Sequence, residues 1–296
     1  MTDVARHRFR SMGTDVELIG PAADAAFGLA SAVVRSTFTR EDRRFSRFRA
    51  ESELSHVNRR VGTPTPISDA FATVVALALE GAKRTRGLFD PTLLDAVIAA
   101  GYDRDFDELL AGARIAARPG RPGGRWREIE LGDRMLCLPG DLGLDLGGIA
   151  KGWTVDRAAE AAFEAGLPWA LVNAGGDLRI VGDAPPDLEV AIEDPEGASG
   201  DLGRLRLGTG ALATSSITRR AWAPGLHHLI DPGTGAPSDG DVLQATVWAT
   251  TCAEAEVSST AAALQGETFL ELGAGLLVCR DGRILTNLTT TEEMAA

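Results

Sequence analysis

Polar and apolar positions recur along this chain with two different periods, and the periods predict a mixture of strands and helices. Phe9 to Ile19 alternates like a half-buried strand, interrupted by Ser11-Met12-Gly13-Thr14. Ala22 to Phe48 has the helical period, with Val33, Val34, Thr37 and Phe38 on one face. Ser52 to Asn58 reads as a short polar helix or loop. Ser68 is suited to cap a helix running through Ala82. Gly87-Leu88-Phe89-Asp90-Pro91-Thr92 reads as a turn opening another helix, with Pro91 near the first-turn position it tolerates. Trp126 to Leu131 and Met135 to Leu138 form a hairpin pattern about Gly132-Asp133. Leu188 to Glu193, Leu202 to Leu207 and Gln244 to Ala249 read as strands, and Ala253 to Leu264 as a helix. Leu276 to Cys279 and Arg283 to Leu285 are joined by Asp281-Gly282, a common two-residue turn. Thr289 to Ala296 reads as a frayed tail.

These elements do not alternate regularly as βαβ units, which favours an α+β fold over a doubly wound sheet. Ala111 to Arg127 is rich in Arg, Gly and Pro. Arg114, Arg118, Arg121, Arg125 and Arg127 could form an anion patch, but charge runs usually face water. The stretch is read as a surface insertion, 111–127, within a single domain covering 1–296.

One region carries the densest pattern. Leu144-Asp145-Leu146 is a short alternating run. Gly147 to Gly152 is a glycine-rich turn holding Lys151, and Thr154 to Gly166 is helical, with Val155, Ala158, Ala159, Ala162 and Phe163 on one face. Trp169 to Asn173 is strand-like and enters a second glycine turn, Asn173-Ala174-Gly175-Gly176-Asp177. Glycine permits backbone to approach a ligand closely, although any single Gly-Gly pair more often serves a tight connection. Two such turns, together with Lys151, suggest a phosphate site.

Composition narrows the classes. At 296 residues, 44% hydrophobic and 24% charged, the chain can build a substantial core. Its net charge of −12 argues against a nucleic-acid binder and against residence on an anionic membrane. Met1 to Arg10 is polar, with no apolar signal core behind it. Ala70 to Leu79, the longest apolar-rich run, is too short to span a bilayer. Cys137, Cys252 and Cys279 have no metal-like spacing and fit buried thiols in a reducing cytosol.

Four groups carry candidate chemistry. Asp145 to Gly152 matches neither a dinucleotide-binding turn nor a P-loop, yet amides at a helix start plus an ammonium make an anion site. Glu256 and Thr260 stand four residues apart on one helix face, and a carboxylate with a hydroxyl suits Mg²⁺. Taken alone, that pair reads more readily as a solvated Glu above a buried Thr than as a metal site. Glu254 and Ser258 share the same spacing. His227-His228 lies in a turn-rich loop and offers either a general base or a surface pair. Thr214-Ser215-Ser216, just beyond a strand, can hold phosphate oxygens or form a turn.

Together and in this order, the segments resemble the ApbE-type flavin transferases, the FAD:protein FMN transferases, over nearly the whole chain. The resemblance rests on Ser11-Met12-Gly13-Thr14, on Phe45-Ser46-Arg47-Phe48 with Ser52-Glu53-Leu54 and Asn58, and on Gly87 to Thr92. It continues through Asp145 to Gly152 with Leu171 to Leu178, then His228 to Pro237, then Glu256 to Thr260. It implies an ApbE-like domain of mixed and antiparallel sheets flanked by helices. The implied reaction splits FAD, a substrate, at its pyrophosphate and passes FMN through its phosphate to a threonine of an acceptor flavoprotein, releasing AMP. The implied metal is Mg²⁺, held by the Gly148 carbonyl, Glu256 and Thr260. Met12, Phe48, Leu88, Phe89, Asp90, Asp145, Lys151 and Ile230 would contact FAD, and His228 takes the position of the catalytic histidine.

The chain departs from the family pattern at several points. Glu256 stands where Asp is usual, and its extra methylene moves the carboxylate outward by about 1.5 Å, which could favour Mn²⁺. Phe48 replaces a frequent Tyr. Thr214-Ser215-Ser216 with Thr218 replaces a Thr-Ser-Gly segment followed by Tyr. Leu94-Asp95 stands for Gly-Pro, and Ala100 for Trp. Two other functions remain open: an FAD pyrophosphatase giving free FMN and AMP, and a non-catalytic FAD-binding protein. The best-known members are exported and lipid-anchored; with no such signal and a leading Met1, a cytoplasmic acceptor is expected. Trp222 and Trp248 are candidates for a partner face.

Overall fold

Eight strands follow one another through a single sheet in the order in which they occur in the chain. The computed structural model describes residues 4–22, 25–111, 117–118, 120–197 and 200–288; Arg114 and the tail Thr289 to Ala296 lie outside the described residues. The strands are β1 (Val4–Ser11), β2 (Thr14–Pro21), β3 (Trp169–Ala174), β4 (Asp177–Gly182), β5 (Gly210–Ser216), β6 (Val242–Ala249), β7 (Gly275–Cys279) and β8 (Ile284–Thr286). The helices are α1 (Ala25–Phe45), α2 (Glu53–Asn58), α3 (Asp69–Arg84), α4 (Leu94–Ala99), α5 (Phe106–Ala111), α6 (Ala150–Glu164) and α7 (Cys252–Gln265). The chain divides into two compact units. One comprises Met1–Thr39, Lys151–Thr218 and Asp241–Ala296; the other comprises Arg40–Ala150 and Arg219–Gly240.

The first unit holds the sheet, antiparallel at every pairing. Consecutive side chains on a strand point to opposite faces, and here both faces are covered. On one face Val16, Leu18, Val172, Ala174, Ala211 and Ala213 pack with Val34 and Phe38 of α1, Ala158 and Ala162 of α6, and Ala255 of α7. The small strand residues on this face let helices lie close. The other face carries larger residues, Leu171, Ile180, Leu212 and Leu276, packed with Ile192 and Leu205. Those two come from the hairpin of Glu189–Glu193 with Asp201–Arg206. Burial on both sides explains why Ala170-Leu171-Val172 reads as an unbroken apolar run.

Several sequence expectations change here. The interrupted opening strand is two strands, with Ser11 paired to Thr14 around a Met12-Gly13 turn. Both turn residues have positive φ, 51° and 68°, as a two-residue type I′ turn requires. The signal was weak because Met rarely adopts that conformation. α6 begins at Ala150, so Lys151 and Gly152 are helical rather than part of the glycine turn. A Cβ on Gly152 would stand 2.6 Å from the Cys252 carbonyl oxygen. This glycine serves a close approach of α6 and α7, not of a ligand. Val155, Ala158, Ala159 and Ala162 are buried as expected, but Phe163 is 47% exposed. Thr214 to Ser216 lie inside β5, not beyond it.

The second unit is built on α2 to α5, a three-stranded sheet of Thr65–Pro66, Glu130–Gly132 and Met135–Cys137, and two short strand pairs. Ser52 and Ser68 cap α2 and α3 through their side chains. α4 starts at Leu94, later than Pro91, because the Asp90 carboxylate takes the Thr92 amide and hydroxyl in a local turn. The 130–137 hairpin turns at Asp133-Arg134, and Arg125–Glu128 is a 3-10 turn rather than strand. The Arg-rich stretch exposes Arg121, yet its backbone is packed in. The Gly123 amide donates to the Pro232 carbonyl at 2.7 Å, and a Cβ on Gly120 would meet Ala96 Cα at 2.5 Å. Trp222 is not on a free face; it packs on Tyr102 and its Nε1 donates to the Ala100 carbonyl at 3.2 Å.

Candidate functional site

The expected site residues fall into one group in each unit. In the first unit, α6 and α7 deliver Lys151, Glu256 and Thr260 to the end of the sheet where β3 turns into β4. Lys151 Nζ pairs with Asp177 Oδ2 and lies 3.3 Å from the Ala174 carbonyl. It stands 3.9 Å from Glu256 Oε1. The Gly152 amide donates to Glu256 Oε2 at 2.8 Å. The Thr214 amide donates to Asp177 Oδ1 at 3.2 Å. Ser215 Oγ joins Ser259 Oγ at 2.8 Å and Thr260 Oγ1 at 3.4 Å. Gly175 and Gly176, at φ 61° and 95°, make the tight turn that brings Asp177 back toward Lys151. Met12 sits in the neighbouring hairpin turn, where a Cβ on Gly175 would strike Thr14 Oγ1.

Glu256 is not a solvated carboxylate: it is 5% exposed. Burial pushes its pKa up to about 8, the Asp177 charge adds to the rise, and Lys151 opposes it. Asp156 of α6 is likewise raised by burial, to about 6, while accepting the Cys252 and Ala253 amides at the start of α7. Those two bonds tie together the helices that carry Lys151 and Glu256.

In the second unit, the expected residues are linked through backbone. Asn58 donates from Nδ2 to the Leu144 carbonyl and accepts from the Leu144 amide, both at 2.8 Å. The Asp145 amide donates to the Pro91 carbonyl at 2.8 Å. Asp90 is buried, and its Oδ2 accepts the Gly124 amide. These bonds hold together segments that are far apart in sequence. Asp145 Oδ1 accepts the Gly147 amide at 2.7 Å, and its Oδ2 lies 3.6 Å from Arg47 Nε. Phe48 is 38% exposed beside Tyr102. Leu88 is half-buried, and Phe89 and Ile230 are buried, Ile230 packing with Leu93, Val97 and Tyr102. The two histidines separate: His227 is buried and donates from Nε2 to the Ser238 carbonyl at 3.0 Å, while His228 is half-buried.

Asp177, Ser215 and Asp156 were not assigned from sequence. Asp177 had a signal, its place beside a glycine turn, and Ser215 had one in the Thr214-Ser215-Ser216 hydroxyl run; Asp156 had none, since its partners Cys252 and Ala253 are distant in the chain. The donor chemistry in the first unit fits a hard divalent cation. Glu256 and Thr260 offer oxygens on one face of α7, and a cation there would offset the charge that burial and Asp177 disfavour. Among the described residues no group of three or more His, Cys, Asp or Glu is arranged to hold a metal. Backbone, hydroxyl and substrate oxygens would have to complete the shell.

Residues 12–274 match the model of the ApbE family. The chain is 30% identical over 232 residues to the FAD:protein FMN transferase of Vibrio cholerae, covering 75% of this chain and 69% of that one. It is 28% identical over 263 residues to the FAD:protein FMN transferase of Klebsiella pneumoniae, covering 83% and 74%. Among solved structures, the ApbE protein of Thermotoga maritima superposes with a TM-score of 0.84 at 23% identity, over 96% of this chain and 97% of that one. The flavin transferase ApbE of Vibrio cholerae superposes at 0.82, over 98% of each chain, also at 23% identity. These superpositions show the fold. With the matched model and relatives, they show that this chain belongs to the ApbE family.

Proposed function

We propose that the chain is a Mg²⁺-dependent FAD:protein FMN transferase that attaches FMN through its phosphate to a threonine of an acceptor flavoprotein. The relatives bearing that name support the reading. The observation that carries it is the buried Glu256 carboxylate, with Thr260 one turn on and Lys151 beside it. The reading takes residues 1–296 as a single functional domain. The acceptor hydroxyl oxygen attacks the FMN phosphorus, the bond to the AMP phosphate breaks, and AMP leaves. His228 accepts the hydroxyl proton. Lys151 supplies positive charge for the pyrophosphate, and Glu256, Thr260 and the Gly148 carbonyl would hold the cation. When bound there, Mg²⁺, or Mn²⁺ in its place, would supply positive charge against the phosphoryl oxygens. Met12, Phe48, Leu88, Phe89, Asp90, Asp145 and Ile230 position FAD. Three free thiols support a reducing, cytoplasmic setting.

The test is incubation with FAD and Mg²⁺, with and without an acceptor flavoprotein, following AMP, free FMN and covalent flavin. AMP with covalent flavin is expected. AMP with free FMN would make the chain a pyrophosphatase, and tight FAD with no AMP a binding protein. His228→Ala should lower FMN transfer by roughly 10²- to 10⁴-fold, the usual contribution of a general base. Undiminished transfer would remove His228 from the mechanism.

A further inference from the structure

The guanidinium of Arg47 is enclosed on nearly every side, yet it is incompletely bonded. It lies 4.2 Å from the centroid of the Phe48 ring and 4.4 Å from that of Tyr102, in the angle between the two. Those rings are 5.6 Å apart and tilted by 46°. Tyr102 is backed in turn by Trp222 at 5.4 Å. The Arg47 side chain is only 10% exposed. Its Nη2 is buried and has no hydrogen-bond partner. Asp145 balances the charge, but Oδ2 is 3.6 Å from Nε, beyond hydrogen-bond reach.

Leaving a charged donor buried and unpaired is costly, and native proteins rarely do it without a reason. Contact with the rings uses the cation's charge and leaves its in-plane N–H groups unspent. An acceptor from outside the chain answers the deficit. Two neighbours indicate which: Phe48, whose ring is partly open to solvent, and Asp145, both expected FAD contacts. We propose that Arg47 is a further substrate-binding residue, whose Nη2 donates to an oxygen of FAD. This rests on FAD being the substrate. Among the oxygens of FAD, the phosphate oxygens and the carbonyls of the flavin ring are the strongest acceptors. A planar guanidinium edge suits either.

The experiment titrates wild type, Arg47→Met and Arg47→Lys with FAD, FMN and AMP, with and without Mg²⁺, and records the melting temperature of each apo protein. Arg47→Met is expected to weaken FAD binding by about 10- to 100-fold, the range for a hydrogen bond to a charged group, while melting close to wild type. Arg47→Lys keeps the charge without the planar edge and should lose less. A loss reproduced with FMN alone places the acceptor in the flavin half, and a loss with both FMN and AMP places it on phosphate. Wild-type FAD affinity in Arg47→Met overturns the assignment. If Arg47→Met does not fold, Arg47→Lys decides: wild-type affinity there, or failure of both variants to fold, makes Arg47 structural and overturns it. A wild type with no FAD affinity overturns the proposed function as well, which separates the two failures.

Discussion

The carboxyl of Glu256 sits where its proton is favoured. Its pKa rises from 4.5 to about 8, because burial and the Asp177 charge outweigh Lys151. The sign follows from linkage: a raised folded-state pKa contributes stability that is complete below the unfolded value and is lost as pH climbs through the folded one. The metal-free protein should therefore lose stability between about pH 4.5 and about pH 8. Glu256→Gln carries no such proton and should flatten that part of the melting-temperature profile. Cation uptake at pH 7 should release a proton from wild type and not from Glu256→Gln, as calorimetry in buffers of different ionisation heat would read. An unchanged pH profile in the variant would mean that another group dominates. The identity of Glu256 was legible in the sequence. Its burial was not, because a Glu four residues before a Thr has the same spacing whether it faces water or the core.

At the scale of elements, the site depends on how closely α6 and α7 approach. Gly152 permits contact with the Cys252 backbone, and Asp156 receives the first amides of α7. Gly152→Ala would drive a Cβ to 2.6 Å from a backbone oxygen that cannot swing away. The helices must part, at a cost of about 1–3 kcal/mol typical of overpacking, measurable as a lower urea midpoint. A variant as stable as wild type would show that the interface is soft. Most element types could be read from periodicity. Boundaries failed where a local residue overrode the pattern: Met12 in a left-handed turn, Asp90 delaying α4, and Lys151 drawn into α6. The Gly147 to Gly152 cluster looked like one loop although its two ends have different tasks.

For the whole molecule, the net charge of −12 is the largest feature fixed by composition. Like charges repel more in the compact state than in the extended one. Raising ionic strength from about 10 mM to about 150 mM shortens the screening length to roughly 8 Å and should raise the melting temperature by a few degrees. A melting temperature that falls with salt would mean that ion pairs such as Arg125–Asp141 outweigh the repulsion. Among the described residues, no helix is long and apolar enough to cross a membrane.

By itself the sequence determined the family, the α+β class, most strands and helices, and the residue types able to meet a phosphate and a cation. Those properties reside in local spacing and in motif order, which a linear chain carries openly. Only the tertiary structure decided which groups meet. It paired Lys151 with Asp177, buried Glu256 against the Gly152 amide, tied Asn58 to Leu144, and left Arg47 Nη2 without an acceptor. The reason is physical: pairing energy, desolvation and unspent donors depend on distance in space, and the partners here lie tens to a hundred residues apart along the chain.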